Sequence, residues 1–165
     1  MGLEMELEQE GKRIIQLNEE IAVLMATYNG EKYLAEQIDS LLNQTFQNWH
    51  LYIHDDGSKD GTVSLLKKYK EKKPDTITII DAPPTGSAKN NFIFLLNKVE
   101  APYIMFCDQD DVWVGDKIEK TYLYMKRIEG NKPALVFTDL QVVDQSGYLI
   151  APRMSRYQKL NLKTI

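Results

Sequence analysis

Two pairs of aspartates carry the chemistry this sequence could do: Asp108 and Asp110 in "FCDQDDVW" (106–113), and Asp55 and Asp56 in "HDDGSKDG" (54–61). Asp108 and Asp110 flank Gln109, and in a tightly turned segment carboxylates two residues apart can aim at one point. Hard divalent cations such as Mg2+ or Mn2+ take carboxylate oxygens and keep other positions for water or phosphate. Without a cation, like charges that close raise each other's pKa. Helix capping is the plainer account, since Asp110, Asp111 and Asp116 all precede an amphipathic stretch. The cluster follows directly on the apolar run "YIMF", which favours ligand work for Asp108 and Asp110. Asp111 is then left to help start the next helix.

One strand earlier, Asp55 or Asp56 can accept from a base N–H or from ribose hydroxyls, as an acid at a strand end does in dinucleotide folds. An Asp-Gly turn with Asp60 capping a helix explains the same letters. The reading kept here makes Asp56 functional and Asp60 structural. "TYNG" (27–30) offers Tyr28 as a flat face for a base, with backbone groups of Thr27 and Asn29 around an Asn-Gly turn. "GSAKNN" (86–91) places Lys89 beside Gly86 at a helix start, where free N–H groups and one cation suit a diphosphate. A solvated lysine on a capped helix competes evenly with that reading. His50 and His54 read as packing or surface residues, Cys107 as a small buried side chain, and Trp113 as a cover or a packing residue.

The elements that must hold these residues alternate along the chain. "IAVLMA" (21–26) predicts a strand covered on both faces. Tyr33, Leu34, Gln37, Ile38, Leu41 and Leu42 then recur at helical spacing. A strand over 49–55 leads to a helix over 62–73 with Val63, Leu65, Leu66 and Tyr69 inward, stopped by Pro74. Strands over 76–80 and 102–107 frame a helix over 91–99, and a further helix spans 116–128. Strands are expected over 134–139 and 140–144, then a turn at "QSG" and a short strand "YLIAP". Residues 1–20, with Leu3, Leu7, Ile14, Ile15 and Leu17 in a ragged helical pattern, read as a loosely docked extension; residues 21–165 read as one α/β domain. The alternation implies a mostly parallel, Rossmann-like sheet with helices on both faces. Ligands of such sheets bind outside the carboxyl ends of the strands, and all four polar clusters fall there.

Composition narrows the class. A net charge of −4 argues against nucleic acid, which needs clustered excess Lys and Arg. The lone cysteine excludes an internal disulfide framework and a cysteine-based zinc site. Apolar runs stop at six or seven residues, far short of the ~20 that span a bilayer. The acidic N-terminus lacks an apolar signal region, so the cytoplasm is the expected compartment.

"IAVLMATYNGEKYLAEQIDSLLNQTF", "DDGSKDGT" and "FCDQDDVW" followed by Lys117 resemble, in order and spacing, the family 2 glycosyltransferases of GT-A fold. Within them the likeness is to the rhamnosyltransferase-like bacterial branch that builds cell-surface polysaccharides, and it covers residues 21 to about 150. The resemblance implies that Thr27, Tyr28, Asn29 and Glu31 hold the base and ribose of a nucleoside-diphosphate sugar. It implies that Asp56 accepts from a pyrimidine N3–H, in a UDP- or dTDP-sugar. Asp108, Gln109 and Asp110 then take the ribose and the metal-bridged diphosphate, with Asp110 the direct ligand of Mn2+ or Mg2+, and Lys89 faces the donor phosphates. The activity implied is inverting, metal-assisted transfer to a saccharide or lipid-linked acceptor, with peripheral association at the inner membrane face compatible. Such transfer needs a general base, which the family supplies well after the D-x-D element. Only about fifty residues follow Asp110, and Asp139 and Asp144 sit where the family places structural strand residues. The expectation is a GT-A domain truncated after the D-x-D region, with a non-catalytic nucleotide-sugar-binding module as the alternative. A receiver domain would need paired acids after its first strand, where this chain has "TYNG"; a nucleotidyltransferase would need a Gly-rich basic loop there.

Overall fold

The computed structural model describes residues 3–5, 15–17, 19–128, 130, 132–144 and 148–153. The chain forms two compact units, residues 1–123 and 124–165, whereas the sequence reading draws its one boundary at residue 20.

In the first unit, β1 (Leu3–Met5) and β2 (Ile15–Leu17) pair antiparallel, Leu3 opposite Leu17. This corrects the helical pattern expected for these residues: the cross-strand ladder satisfies their backbone groups, and β-branched Ile15 suits it. Residues 6–14 lie outside the described residues. The main sheet holds β3 (Ile21–Thr27), β4 (Trp49–Asp55), β5 (Ile77–Ile79) and β6 (Tyr103–Cys107), in the order β5-β4-β3-β6, all parallel. Its crossovers are α1 (Leu34–Leu42), α2 (Thr62–Lys72) and α3 (Ala88–Lys98), and α4 (Lys117–Ile128) follows β6.

β3 reads as an unbroken apolar run because both of its faces are buried. Ile21, Val23 and Met25 join Leu34, Ile38 and Leu41 of α1, Leu66 of α2 and Ile118 and Tyr122 of α4 in one core. Ala22 and Leu24 join Leu95 of α3 in the other. The chain steps from β3 through β4 to β5, then returns through α3 to β6 on the far side of β3. Reversing direction with right-handed crossovers places α3 on the opposite face from α1 and α2.

Two expectations about packing change. Leu66 of α2 is buried and Leu65 and Tyr69 pack on the same core as expected, but Val63 is 37% exposed, because the inward stripe runs through Thr62, Leu66 and Tyr69 and leaves it at the edge. α3 starts at Ala88, earlier than the apolar spacing suggested, because the Ser87 hydroxyl accepts from Asn90 N–H and caps it.

In the second unit, β7 (Val142–Val143) pairs antiparallel with β8 (Leu149–Ala151). The strand expected over 134–139 does not form: no described strand pairs with it, and Leu135 and Phe137 stay exposed. Asp139 accepts from Leu140 N–H and Asp144 from Tyr148 N–H. The "QSG" turn lies outside the described residues.

Candidate functional site

The strand order reverses between β3 and β6, and crevices at such points are where open α/β sheets take ligands. A cavity of about 520 Å3 lies there, a size that suits a small-molecule ligand. β3 contributes Thr27 and Tyr28 to its lining, the end of β4 Asp56, and the segment after β6 Asp108, Gln109 and Asp110. Gly86, Ser87, Asn91 and Phe92 line it from the start of α3. Six residues expected at the site thus meet in one cavity. Asn29, Glu31 and Lys89 are not part of its lining, and Lys89 is exposed on the first turn of α3.

Hydrogen bonds explain this sorting. Gln109 spends both ends of its carboxamide on Tyr28: Oε1 accepts from Tyr28 N–H at 2.9 Å, and Nε2 donates to Tyr28 O at 3.0 Å. It therefore works as a cross-brace between β3 and the acidic segment, which leaves the Tyr28 ring 55% exposed. Asn29 adopts φ 47°, a left-handed conformation that Asn tolerates. Its N–H donates to Ser58 Oγ and its Oδ1 accepts from Lys59 N–H. Glu31 accepts from Gly61 N–H, while Asp60 accepts from Glu31 N–H and from the N–H and hydroxyl of Thr62. Asn29 and Glu31 thus staple the first loop to the second and satisfy the N-terminus of α2. Asp60 is structural, as expected.

The two acids of "HDDG" divide their labour. Asp55 accepts from the Thr27 hydroxyl at 2.9 Å and from Gly57 and Ser58 N–H at 3.1 and 2.8 Å, closing its own turn. Asp56 receives Thr85 N–H, the Thr85 hydroxyl at 2.9 Å and Gly86 N–H at 3.1 Å, all on Oδ1. Burial alone would raise the Asp56 carboxyl, but these donors, aided by His54, hold it below the ordinary carboxylate range. Its Oδ2 has no hydrogen-bond partner among the described residues, and one anionic acceptor remains at the cavity. Gly86 sits at φ 84°, a conformation glycine adopts without cost.

Beneath Asp56 lies a pair the sequence reading missed. Asn91 Nδ2 donates to His54 O at 3.0 Å, and Asn91 Oδ1 pairs with His54 Nδ1 at 2.9 Å. His54 Nε2 also reaches Ala82 O at 3.3 Å, and both side chains are 1% exposed. His54 is thus a buried linker of β4, α3 and the 82–86 loop. The signal available was a polar residue at an inward position, four residues before Leu95 on α3.

The acidic segment is electrostatically strained. Burial and then the neighbouring Asp110 charge push the Asp108 carboxyl above its ordinary range, although solvent still reaches its side chain. Burial, Asp108 and Asp110 do the same to Asp111, against an opposing pull from Lys117. Lys117 also lies 5.0 Å from the Trp113 ring centroid. The chain therefore does place a cation beside the cluster, which adjacency in sequence concealed. Asp111 lies six residues before α4 and does not cap it, contrary to expectation. Trp113 is buried and packs in the core, and Cys107, as expected, is buried, its thiol pushed upward chiefly by burial.

No group of three or more His, Cys, Asp or Glu side chains suited to a metal is found among the described residues. The Asp108–Asp110 pair offers only carboxylate oxygens, which fits a hard cation completing its shell with water and phosphate rather than zinc.

Packing makes one part of this site easy to test. A Cβ on Gly30 would run into the Gln109 carboxamide. Gly30→Ala is expected to break the brace to Tyr28 and cost about 1–3 kcal/mol, measured as a fall in urea midpoint; an unchanged midpoint would show the brace to be loose.

A parallel sheet with a crevice at its switch point, lined by an exposed aromatic, paired acids and a helix N-terminus, defines an open α/β protein with a ligand-sized site at its carboxyl rim. The glycosyl transferase family 2 model matches residues 22–163, and the chain belongs to that family. It is 27% identical over 143 residues to the UDP-Glc:alpha-D-GlcNAc-diphosphoundecaprenol beta-1,3-glucosyltransferase WfgD of Escherichia coli, covering 85% of this chain and 54% of that protein. It is 37% identical over 99 residues to the dTDP-rhamnosyl transferase RfbG of Shigella flexneri, covering 58% of this chain and 34% of that one. The chain spans about half the length of the curated relatives it matches. Staphylococcus aureus TarS 1–349, solved in complex with UDP, superposes with a TM-score of 0.57 at 21% identity, over 75% of this chain and 41% of that one. The mannosyltransferase PcManGT from Pyrobaculum calidifontis, solved with GDP-Man and Mn2+, superposes with a TM-score of 0.59 at 20% identity, over 64% of this chain and 32% of that one. The fold is GT-A.

Proposed function

We propose that the chain binds a UDP- or dTDP-sugar and serves inverting, metal-assisted transfer of the sugar to a saccharide or lipid-linked acceptor in cell-surface polysaccharide synthesis. The observation that carries this reading is Asp56, with one oxygen saturated by Thr85 and Gly86 and the other unpaired at the cavity. A lone anionic acceptor beside an exposed aromatic ring suits the N3–H of a pyrimidine stacked on Tyr28. Residues 21–165 are taken as the donor domain. Names of the relatives agree in kind: one is a UDP-Glc enzyme acting on a diphosphoundecaprenol-linked acceptor, another a dTDP-rhamnosyl transferase. In keeping with an acceptor of that type, we set the work in the cytoplasm at the inner face of the membrane; no described helix is long and apolar enough to cross a membrane.

In this scheme Asp56 fixes the base and Tyr28 its plane, while Thr27 and Gln109 hold the walls. Asp108 and Asp110 hold Mn2+ or Mg2+, which when bound neutralises charge on the departing diphosphate. The N–H groups at the start of α3 face the same cavity and favour an anion. Lys89, on the same first turn but outside the cavity lining, serves the phosphates only through its field. A second reading, donor binding without transfer, is favoured by Asp139 and Asp144, each of which spends a carboxylate oxygen on a neighbouring N–H.

Thermal shift with UDP- and dTDP-sugars tests the donor reading. Stabilisation is expected to require the nucleotide and to grow with Mn2+. A raised Asp108 carboxyl keeps its proton to higher pH than an ordinary acid, so protons compete with the metal. The Mn2+ increment should therefore be full at neutral pH and fade as pH falls into the range just above ordinary carboxylates. Folded protein that responds to no pyrimidine nucleotide would sink the proposal. Donor binding without sugar transfer or donor hydrolysis would select the second reading.

A further inference from the structure

The segment from Asp108 to Asp116 contains no helix or strand, so contacts from outside must set its shape. Two sources supply them: Gln109 is braced to Tyr28, and α1 with the residue Gln44 just past its end holds the flanks. Where a core-facing helix ordinarily carries aliphatic side chains, α1 presents Gln37 and Ser40, and Gln44 follows just past its end. Gln37 and Gln44 are 0% and 2% exposed.

Ser40 and Gln44 bond into this segment, and Gln37 bonds the last residue of β6 just before it. Gln37 Nε2 donates to Cys107 Sγ at 2.7 Å, the residue immediately before the acids. Ser40 Oγ accepts from Trp113 N–H at 3.0 Å, just after them. Gln44 Nε2 donates to Val114 O at 2.8 Å, and its Oε1 accepts from Ile118 N–H at 3.0 Å. Gln37 and Ser40 are themselves joined, Ser40 Oγ lying 3.2 Å from Gln37 Oε1 and 2.7 Å from Gln37 O. Positions 108–111, three aspartates and Gln109, are thus held on both flanks from α1 and Gln44, with Gln109 tied to Tyr28 between them.

We infer that Gln37 and Ser40 are positioning residues for the Asp108–Asp110 carboxylates, setting the geometry in which the pair takes a divalent cation. The inference rests on the donor and metal reading above. A satisfied buried polar network specifies one arrangement, whereas an apolar face of equal volume would accept several. Metal-holding carboxylates are sensitive to that difference, since a small displacement of either lengthens its bond to the cation. Asp56 is held by Thr85 and Gly86, not by α1, so base recognition should feel the change only through the Gln109 brace to Tyr28.

The test uses the full chain with Ser40→Ala, Gln37→Met and Ser40→Thr. Mn2+ is titrated calorimetrically in the presence of saturating UDP, and uridine, which has no phosphate, is titrated separately. Ser40→Ala and Gln37→Met are each expected to raise the half-saturating Mn2+ concentration about tenfold. Uridine affinity is expected to fall far less than Mn2+ affinity, and Ser40→Thr, which keeps the hydroxyl, to restore Mn2+ affinity. An unchanged Mn2+ midpoint in Ser40→Ala and Gln37→Met would overturn the inference. A parallel loss of uridine binding would also overturn it, because the residues would then serve the fold at large. A parent chain that binds uridine but takes up no Mn2+ with UDP would remove the metal reading itself, and the inference with it.

Discussion

Asp56→Asn is expected to abolish measurable uridine binding while leaving the fold intact. The substitution keeps the shape of the side chain, and an amide oxygen can still accept from Thr85 and Gly86. What changes is the second position, where an anionic acceptor becomes an N–H donor facing the donor N3–H of the base. A hydrogen bond to a charged group contributes about 1.5–3 kcal/mol, and a donor facing a donor leaves both unsatisfied. The loss should reach about a hundredfold in Kd, read by calorimetry with uridine so that no phosphate or metal contributes. Wild-type affinity in a folded Asp56→Asn chain would show that Asp56 does not read the base.

Asp110→Ala should produce the complementary loss. Uridine binding persists, but the Mn2+-dependent part of the thermal shift with UDP disappears. Removing Asp110 also removes the like charge that helps raise the Asp108 carboxyl, so the chain without ligand should be no less stable and its Asp108 closer to an ordinary acid. A merely structural aspartate would show the reverse: a lower unfolding temperature without ligand and an intact Mn2+ increment. Retention of the full increment would move the metal away from this pair. Together the two variants divide one cavity into a base-reading half on β4 and a charge-neutralising half after β6.

How far the site could be read from letters depended on how local each residue's partners are. The β3 strand was legible because its apolar run answers to burial on both faces, a property of the segment itself; β4 and β6 were legible from length and β-prone residues, although Phe106 on edge strand β6 stays exposed. Ser87 belongs to the same class, since it caps α3 within three residues; Asp60 is equally local, accepting from Thr62 two residues on, although the N-cap of α2 is Gly61 rather than Asp60. Val63 was misread because helical spacing shows which residues share a face but not how wide a stripe the neighbouring sheet covers. The strand expected over 134–139 failed for a related reason: an extended apolar run becomes a strand only when another strand completes its ladder. Gln109, Asn29 and Glu31 were matched to a ligand by resemblance, yet their polar atoms are engaged with partners 29 to 81 residues away. His54 and Asn91 were passed over because their pairing spans 37 residues and two elements.

The sequence alone determined which groups arrive at the carboxyl rim of a parallel sheet: Tyr28 after the first core strand, Asp55 and Asp56 after the second, Asp108 and Asp110 after the fourth. Periodicity and turn chemistry are short-range, and they suffice to put a residue at a strand end. Tertiary structure decided what each then does. The reversal of strand order between β3 and β6 brought Gln109 to Tyr28, the 82–86 loop took one oxygen of Asp56 and left the other, and α1 pinned the acids from below. A hydrogen bond is spent once, and which partner spends it is settled by packing between elements that spacing along the chain does not relate.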